Sequence, residues 1–289
     1  MRFSYAESMC EPSQYAPLAL AAEAAGFDSF VVPDSLCYPE VSDSRYPYTP
    51  DGNREFLADK PFLEPFALIA ALGAVTERLR FTTFVVKLPI RQPVLTAKTV
   101  LSVAVLTGGR LGLGVGLSPW PEDFQVTGTD WATRGPRTDE MIEILRGLGR
   151  GDFFAYAGRH YSFPSIRMNP VPAKPVPILV GGHAEPALRR AARLGDGWMH
   201  AGGDRETLVG AIARLRELRR EHGREREPFE IHAIALDAYS VDGIRRLEEL
   251  GVTDVIVGFR NSYERDTQTL AQKLDALRGY ADRVIAKVR

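Results

Sequence analysis

The stretch AEAAGFDSFVV, from Ala22 to Val32, contains a corner that this chain repeats: a helix ends, a glycine follows, and a buried strand begins. The same order recurs at Leu194-Gly195-Asp196-Gly197 and at Leu250-Gly251-Val252-Thr253-Asp254. We interpret each glycine as a helix C-cap, because glycine adopts the left-handed backbone conformation at little cost. The recurrence favours a fold made of repeated helix-to-strand units.

Outward from these corners, short β-branched runs alternate with longer segments of helical periodicity. The predicted strands are residues 2–6, 27–33, 79–86, 110–116, 176–181, 197–201, 229–236 and 254–259. The predicted helices are residues 12–25, 62–76, 93–106, 136–148, 185–194, 205–222, 241–250 and 263–287. Strands that alternate with helices form parallel βαβ units, and eight such units close a barrel. We therefore predict an α/β fold, a (β/α)8 TIM barrel that forms one domain over residues 1–289.

Two long insertions interrupt the alternation of strands and helices. Residues 35–61 follow the second strand and are rich in Tyr, Pro, Asp and Gly, and residues 151–175 precede the fifth strand. Insertions of this length in a compact domain are usually functional covers or ordered excursions. We expect no domain boundary in either of them.

Composition narrows the class of protein. The 289 residues carry a net charge of −1, with 45% hydrophobic and 25% charged residues, which excludes a disordered chain and a coiled coil. A charge this close to zero argues against a nucleic-acid partner. The longest apolar stretch, residues 66–75, is too short to span a bilayer, so no membrane association is expected. Two cysteines and the lack of a signal-like N-terminus fit a cytoplasmic protein.

Residues at the carboxyl ends of the predicted strands are the candidates for chemistry, since barrel enzymes place their sites there. Gly181-Gly182-His183 joins a strand to a helix, where free N–H groups form an anion site; a plain turn is the equal alternative. Gly114-Val115-Gly116 leaves space for a flat ligand, and tight packing at a barrel corner is the equal alternative there.

Other reaction classes have little support. The five histidines are scattered and no cysteine pair has ligand spacing, so we predict no metal site. No Gly-x-Ser-x-Gly motif suggests a serine nucleophile. Lys87 near the end of the third strand could form a Schiff base, although most lysines are only solvated.

A set of short motifs along almost the whole chain resembles a known family. The chain is similar to the bacterial luciferase-like superfamily, and within it to the actinobacterial oxidoreductases that depend on the deazaflavin coenzyme F420. The motifs are residues 22–29 leading to Val32-Pro33-Asp34, Pro89-Ile90-Arg91-Gln92-Pro93, residues 106–116 (LTGGRLGLGVG), residues 134–140 (RGPRTDE), and residues 177–182 continuing to Gly195-Asp196-Gly197-Trp198. Each motif is weak by itself, and their number, order and spacing carry the resemblance.

The resemblance implies a flat isoalloxazine-like ring in the barrel mouth. It implies a non-proline cis peptide near Phe84-Val85 behind the ring, Asp34 at the ring edge, and Gly116, Leu117 and Ser118 along the pyrimidine side. It further implies that the Gly181-Gly182-His183 turn holds the cofactor phosphate. Ser35 and Gly202 complete the predicted cofactor-binding residues.

Two positions depart from the sugar-phosphate dehydrogenases of the resembling family. Those enzymes carry a His directly after the second-strand Asp, where this chain has Ser35, and a Glu after the fourth-strand glycines, where it has Leu117. Glucose 6-phosphate is therefore a poor candidate substrate. Asp34, Tyr38 and His183 are the predicted catalytic residues. His200 and Glu122 are further candidate proton donors, chosen by loop position.

The resulting prediction is an F420-dependent reductase or dehydrogenase. It would transfer a hydride between the coenzyme and an apolar or conjugated small molecule, covered by the insertion that contains Tyr38, Tyr46 and Tyr48. The alternatives are an FMN-dependent monooxygenase, a cofactor-binding protein without turnover and, more distantly, a Schiff-base lyase that uses Lys87. Members of the resembling family are often homodimers, and the sequence leaves the oligomeric state open.

Overall fold

The computed structural model of this chain describes residues 1–46, 49 and 51–289. Its centre is a closed barrel of parallel strands. In chain order the strands are β1 (Arg2–Ala6), β2 (Ser29–Val32), β3 (Arg80–Thr83), β4 (Val86–Lys87), β5 (Leu111–Gly116), β6 (Phe154–Ala157), β7 (Ser162–Ile166), β8 (Ile178–Gly181), β9 (Gly197–His200), β10 (Glu230–Ala233) and β11 (Asp254–Val257). Of these, β6 and β7 form a separate antiparallel hairpin.

The barrel closes because each strand pairs in parallel with both neighbours. β1 pairs with β11 on one side and with β2 on the other, and β3 pairs with β5 through Phe81 and Leu111. β4 continues the third barrel strand and also pairs with β5. The ring of strands is thus β1, β2, β3 with β4, β5, β8, β9, β10 and β11. The predicted (β/α)8 barrel is confirmed.

Helices between the strands form the outer layer. They are α1 (Tyr15–Ala24), α2 (Pro65–Val75), α3 (Pro93–Leu106), α4 (Pro121–Thr127), α5 (Arg134–Leu148), α6 (Glu185–Leu194), α7 (Arg205–Glu221), α8 (Val241–Leu250), α9 (Leu270–Tyr280) and α10 (Ala286–Val288). Several begin at a side-chain cap, as where Asp204 accepts a hydrogen bond from the Thr207 amide at 2.7 Å. No helix in the described residues is both long enough and apolar enough to cross a bilayer.

Alternate strand residues face opposite sides of the barrel wall. On the outer side, buried residues such as Phe3, Leu113 and Trp198 join the helices in one large core. On the inner side, Val31, Leu179, Met199 and Ile256 form a smaller apolar cluster that fills the barrel. This inner cluster is a packed layer that supports whatever lies in the barrel mouth above it.

The second insertion differs from the loop that we predicted at residues 151–175. It contains the β6–β7 hairpin, in which Tyr156 and Phe163 stack with ring centroids 6.1 Å apart. Phe154 contacts the same Phe163 ring, also at 6.1 Å. Cross-strand aromatic contacts of this kind stabilise a hairpin even where prolines favour loops. The insertion is therefore an ordered excursion.

Three further details correct the sequence prediction. α4 was not predicted, and the last long helix begins at Leu270 instead of residue 263, because Thr269 and Gln272 form a capping box. Gly26 and Gly251 do adopt left-handed conformations, with φ of 87° and 96°. Gly195 does not; it is extended, and a Cβ there would lie 2.8 Å from the Ala191 carbonyl oxygen. Close packing, and not backbone conformation, requires that glycine.

Charged side chains close the amino end of the barrel. Arg2 bonds to Glu230 at 2.6 Å and lies 3.4 Å from Asp254. The His232 ring contacts Glu230 at 2.7 Å. We call Arg2, Glu230, His232 and Asp254 the floor. Asp254 and His232 are each 1% exposed, so the floor is a buried polar layer.

Candidate active site

Four partly exposed apolar residues face the carboxyl end of the barrel, packed on the inner cluster. We call them the platform: Ala6, Phe84, Val85 and Ile234. They come from the ends of β1, the third barrel strand and β10, so they surround the barrel axis from different sides. A shallow apolar surface at this position suits a flat ring.

The platform depends on a break in the third barrel strand. The Phe84-Val85 peptide bond is cis, as the resemblance predicted, and it separates β3 from β4. Val85 projects toward the neighbouring strands, where glycines make room for it. A Cβ on Gly116 would lie 2.6 Å from Val85 Cγ2, and one on Gly181 would lie 2.9 Å from Val85 Cγ1. These two glycines are therefore required by the position of Val85.

Glycine is required at position 114 for a different reason, which is close packing. A Cβ there would lie 1.9 Å from the Thr83 carbonyl oxygen and 2.5 Å from Met199 Sδ. Of the two interpretations of the Gly114–Gly116 stretch, tight packing accounts for Gly114 completely.

Asp34 lies at the end of β2 with its side chain 3% exposed. Its carboxylate accepts hydrogen bonds from Arg91 Nη2 at 3.0 and 3.1 Å and from the Lys87 amide at 2.9 Å. Lys87 follows the cis bond by two residues. Asp34 thus holds the chain that carries the platform.

A second buried carboxylate, Asp123, was missed by sequence reasoning. Lys87 Nζ donates to Asp123 at 2.7 Å, and the Ser118 hydroxyl donates to the same oxygen. All three are at most 5% exposed. An ion pair uses the ammonium form of lysine, which has no lone pair to attack a carbonyl carbon, so the Schiff-base interpretation loses its support. The Lys87–Asp123 pair joins residues distant in the sequence, and no local motif predicts it.

The Gly181-Gly182-His183 turn follows β8 and is fixed by two side chains. Gly182 has φ of 118°, and the Trp198 indole donates to its carbonyl at 2.8 Å. The His183 Nε2 accepts a hydrogen bond from the Ala201 amide at 3.1 Å, so the neutral ring carries its proton on Nδ1. Burial lowers the pKa of His183.

His183 stacks on His200, which ends β9, with ring centroids 4.7 Å apart. Burial lowers the pKa of His200 to about 4, and the neighbouring His183 contributes in the same direction. His200 Nε2 is buried and has no hydrogen-bond partner among the described residues. The turns after β8 and β9 therefore meet through two neutral histidines.

Gly202 follows this pair and lies beside the platform. Its φ is 98°, and a Cβ on it would lie 3.7 Å from Ile234 Cγ2. Next to it, a cavity of about 350 Å³ opens between the amino ends of α7 and α8, lined by His200, Gly203, Asp237 and Ser240 among others. The end of β9 thus borders open space, whose lining also includes the charged residues Asp204 and Arg205.

Aromatic rings extend from one side of the barrel mouth to the other. We call Tyr46, Phe56, Trp120 and Tyr263 the aromatic cover. Tyr46 stacks on Trp120 at 5.2 Å and contacts Tyr263 at 5.7 Å, while Phe56 contacts Tyr263 at 5.0 Å. Trp120 follows β5 and Tyr263 follows β11, which are opposite strands of the ring. The described part of the first insertion therefore lies over the mouth; Tyr48 is outside the described residues.

Glu122 attaches this insertion to α4. It accepts hydrogen bonds from the Ser42 and Ser44 hydroxyls, and Arg54 lies 3.4 Å away. Burial would raise the pKa of Glu122, but these hydrogen bonds and the Arg54 charge lower it. Because the carboxylate is stabilised in its ionised form, Glu122 is a poor proton donor.

The remaining predicted residues lie around the same mouth. Tyr38 is 39% exposed, with Arg54 5.7 Å from its ring centroid. Ser35 and Leu117 are half-buried at the ends of β2 and β5. The structure therefore brings together all the predicted site residues at one end of the barrel. Within the described ranges, no group of three or more His, Cys, Asp or Glu side chains is arranged to hold a metal ion.

Comparison with known proteins places nearly the whole chain in the family that the sequence motifs resemble. The model of the luciferase-like monooxygenase family matches residues 5–271. An uncharacterized protein of Mycobacterium tuberculosis is 59% identical over 290 residues that span 100% of both chains. An F420-dependent glucose-6-phosphate dehydrogenase of Nakamurella multipartita is 30% identical over 221 residues, which cover 72% of this chain and 58% of that one.

Solved structures share the fold at low sequence identity. A monooxygenase, RslO1, from Streptomyces bottropensis covers 100% of both chains with a TM-score of 0.81 and 16% identity. The coenzyme F420 dependent tetrahydromethanopterin reductase from Methanopyrus kandleri covers 100% of this chain and 99% of that one, with a TM-score of 0.77 and 14% identity.

Proposed function

The chain belongs to the luciferase-like monooxygenase family, and from that premise we propose that it is an F420-dependent oxidoreductase. It transfers a hydride between the coenzyme and an apolar or conjugated small molecule. The observation that carries the proposal is the platform: an apolar, partly exposed surface in the barrel mouth, built around the cis Phe84-Val85 bond. Such a surface fits the flat ring of a deazaflavin or a flavin.

The residues around the platform fit the rest of such a cofactor. Gly116, Leu117 and Ser118 border it at the end of β5, and Gly202 borders it beside Ile234. The Gly181-Gly182 turn, held by Trp198, leads into α6 and would bind the phosphate. When bound, the deazaflavin supplies the carbon that exchanges a hydride, while the protein orients the substrate and excludes water.

We assign the three predicted catalytic residues different tasks. Asp34 acts as a positioning residue, because its oxygens are bonded to Arg91 and to the Lys87 amide beside the platform. Tyr38, with an accessible side chain at the mouth, is the candidate that exchanges a proton with the substrate. His183 is neutral and bonded to the Ala201 amide, so it shapes the phosphate turn.

The surroundings favour a substrate without a sugar phosphate. Ser35 and Leu117 stand where the resembling dehydrogenases have His and Glu, and the relative in Nakamurella multipartita is matched over only part of its length. The aromatic cover above and the cofactor ring on the platform below would enclose an apolar or conjugated molecule.

A binding titration tests the proposal. The full chain is titrated separately with F420 and with FMN, and tryptophan emission is followed, because Trp120 belongs to the aromatic cover and the Trp198 indole bonds to the Gly182 carbonyl. We expect F420 to bind about tenfold or more tightly than FMN. Preference for FMN would contradict the proposal and favour the monooxygenase. Binding of neither would overturn both assignments, and binding without hydride exchange would identify a carrier without turnover.

A matched pair of variants locates the binding. Gly182→Ala places a Cβ 2.9 Å from that of Ala187 at φ of 118° and should weaken F420 binding. Gly223→Ala also has a positive φ, 67°, but a Cβ there meets nothing within 4 Å, and it lies away from the mouth. F420 affinity should be unchanged in this control.

A further inference from the structure

Arg54 is a buried cation in the first insertion. It is 7% exposed, and its guanidinium lies 4.4 Å from the centre of the Trp120 ring, a member of the aromatic cover. A cation over a tryptophan face is favourable, but the ring cannot accept directed hydrogen bonds as a carboxylate does. The guanidinium is thus packed against the aromatic cover and is shielded from solvent.

The guanidinium is only loosely neutralised. Its Nη1 lies 3.4 Å from Glu122, a carboxylate already bonded to the Ser42 and Ser44 hydroxyls. Its Nη2 is buried and has no hydrogen-bond partner in the ranges that the structure describes. Leaving a buried charged donor unpaired costs more than leaving a neutral one unpaired. The arrangement therefore lacks one acceptor.

Two other arginines at the mouth, Arg91 and Arg260, also have one buried nitrogen without a partner (Nε and Nη1) among the described residues, but each has a carboxylate at a shorter distance. Arg91 donates twice to Asp34 at 3.0 and 3.1 Å, and Arg260 donates to Glu7 at 2.7 Å. Of these three, Arg54 is the one whose nearest carboxylate is beyond normal charge-assisted hydrogen-bond distance. Its charge is therefore the least neutralised of the three, so an added acceptor would stabilise Arg54 most.

We propose that Arg54 binds a carboxylate on the substrate through its Nη2, so that the substrate is a small apolar or conjugated carboxylic acid. A planar carboxylate matches the edge of a guanidinium, whereas a phosphate needs more donors than one free amino group provides. The identification of this ligand as the substrate rests on the proposed function. The apolar part of the acid would then lie beneath the aromatic cover, against the cofactor ring on the platform.

Pairs of probes that differ only in charge test the proposal. Calorimetric titrations of the full chain, without any cofactor, use trans-cinnamate against trans-cinnamamide and hexanoate against hexanamide. We expect the acid of at least one pair to bind about tenfold or more tightly than its amide. Equal affinity within both pairs, or no binding of either acid at millimolar concentration, would overturn the proposal.

Variants in the same insertion locate the effect. Arg54→Met should reduce the affinity of the acid to that of the amide, and Arg54→Lys should give an intermediate value, because the charge stays and the fork is lost. Arg45→Met is the control, since Arg45 is exposed and bonds the Asp51 carbonyl. Retained preference in Arg54→Met, or its loss in Arg45→Met, would contradict the proposal.

These results are independent of the F420 titration. Acid preference in a chain that binds no F420 would leave the Arg54 site standing and remove the proposed function. F420 binding without acid preference would leave the proposed function standing and remove the Arg54 site. If Arg54→Met does not fold, the affinities of the Arg54→Lys variant for the acid and for the amide are compared instead.

Discussion

The floor and the mouth of the barrel both contain charges, but they arrange them in opposite ways. In the floor, Arg2, Glu230, His232 and Asp254 lie on the strands themselves and bond to one another inside the barrel. In the mouth, most of the charged groups lie on loops and on α4, and the centre is the apolar platform. The same wall of strands therefore ends in a closed polar layer on one side and an open apolar surface on the other.

This difference separates stability from binding. The charged groups of the floor pair with one another at short distances, although Arg2 Nε, His232 Nδ1 and Asp254 Oδ1 have no hydrogen-bond partner among the described residues. In the mouth, Asp34 after β2 bonds to the Lys87 amide on β4 at the edge of the platform, while the carboxylate nearest to Arg54 is 3.4 Å away. We expect changes in the floor to alter unfolding, and changes in the mouth to alter binding.

Asp254→Ala should have the largest effect on stability. It removes a buried carboxylate 3.4 Å from Arg2; breaking a buried charged pair costs about 3–5 kcal/mol, and we expect the lower end because Arg2 keeps its pair with Glu230. Urea unfolding measures the loss. Asp275→Ala is the control, because its pair with Arg278 is exposed and contributes little. The F420 affinity of the folded Asp254→Ala protein should match that of the wild type. A weaker affinity would show that the floor also contributes to binding.

The two regions should also respond to acid in different pH windows. The pKa of His200 is lowered from 6.5 to about 4, so its neutral form stabilises the fold above pH 6.5, and this stabilisation is lost as the pH falls toward 4. Burial would raise the pKa of Glu230, but His232 and Arg2 lower it from 4.5 to about 2. Its contribution is present above pH 4.5 and is lost toward pH 2.

Each contribution is on the order of 2–3 kcal/mol. Unfolding free energies measured between pH 7 and pH 3 should therefore fall first through the mouth and then through the floor. His200→Gln should flatten the upper part of the curve only, and Glu230→Gln the lower part only. A variant that flattens the opposite part would show that the groups are assigned to the wrong windows.

Gly116→Ala should have a smaller effect on stability but a clear effect on binding. The added methyl would lie 2.6 Å from Val85 Cγ2, so Val85 must move, at a cost of about 1–3 kcal/mol. Because Val85 is part of the platform, F420 affinity should fall about tenfold. Unchanged affinity, measured by tryptophan emission, would argue against the platform as the ring site.

Gly210→Ala gives the smallest effect and the opposite sign. Gly210 lies on the exposed side of α7, and a Cβ there meets nothing within 4 Å. Alanine in a helix interior is more favourable than glycine by about 1 kcal/mol. Thermal unfolding should show a slightly more stable protein with unchanged F420 affinity, and destabilisation would contradict the helical assignment.

The barrel itself was predictable from the sequence, because each βα unit has its own local signals. The corners at Gly26 and Gly251 are helix caps, and the strand runs are buried and β-branched. The cis bond at Phe84-Val85 was located through the resemblance. The β6–β7 hairpin was missed, since the prolines of the insertion favour loops and the aromatic contacts of the hairpin join residues across two strands.

The site was predictable in outline but not in its pairings. The glycines at the strand ends and Asp34 are visible as motifs. Asp123, which binds Lys87, and Arg54, which lies over Trp120, are ordinary charged residues in the sequence. Their importance comes from burial and from partners distant in the chain, and neither is encoded in local spacing.

The crystal structure of the complex with F420 tests the central claim most directly. The separation of floor and mouth predicts the deazaflavin ring on the platform, in contact with Val85 and Ile234 and beneath the aromatic cover. The phosphate should lie at the Gly181-Gly182 turn. A ring bound elsewhere, such as in the apolar groove between α3 and α5 lined by Val100 and Leu145, would contradict it.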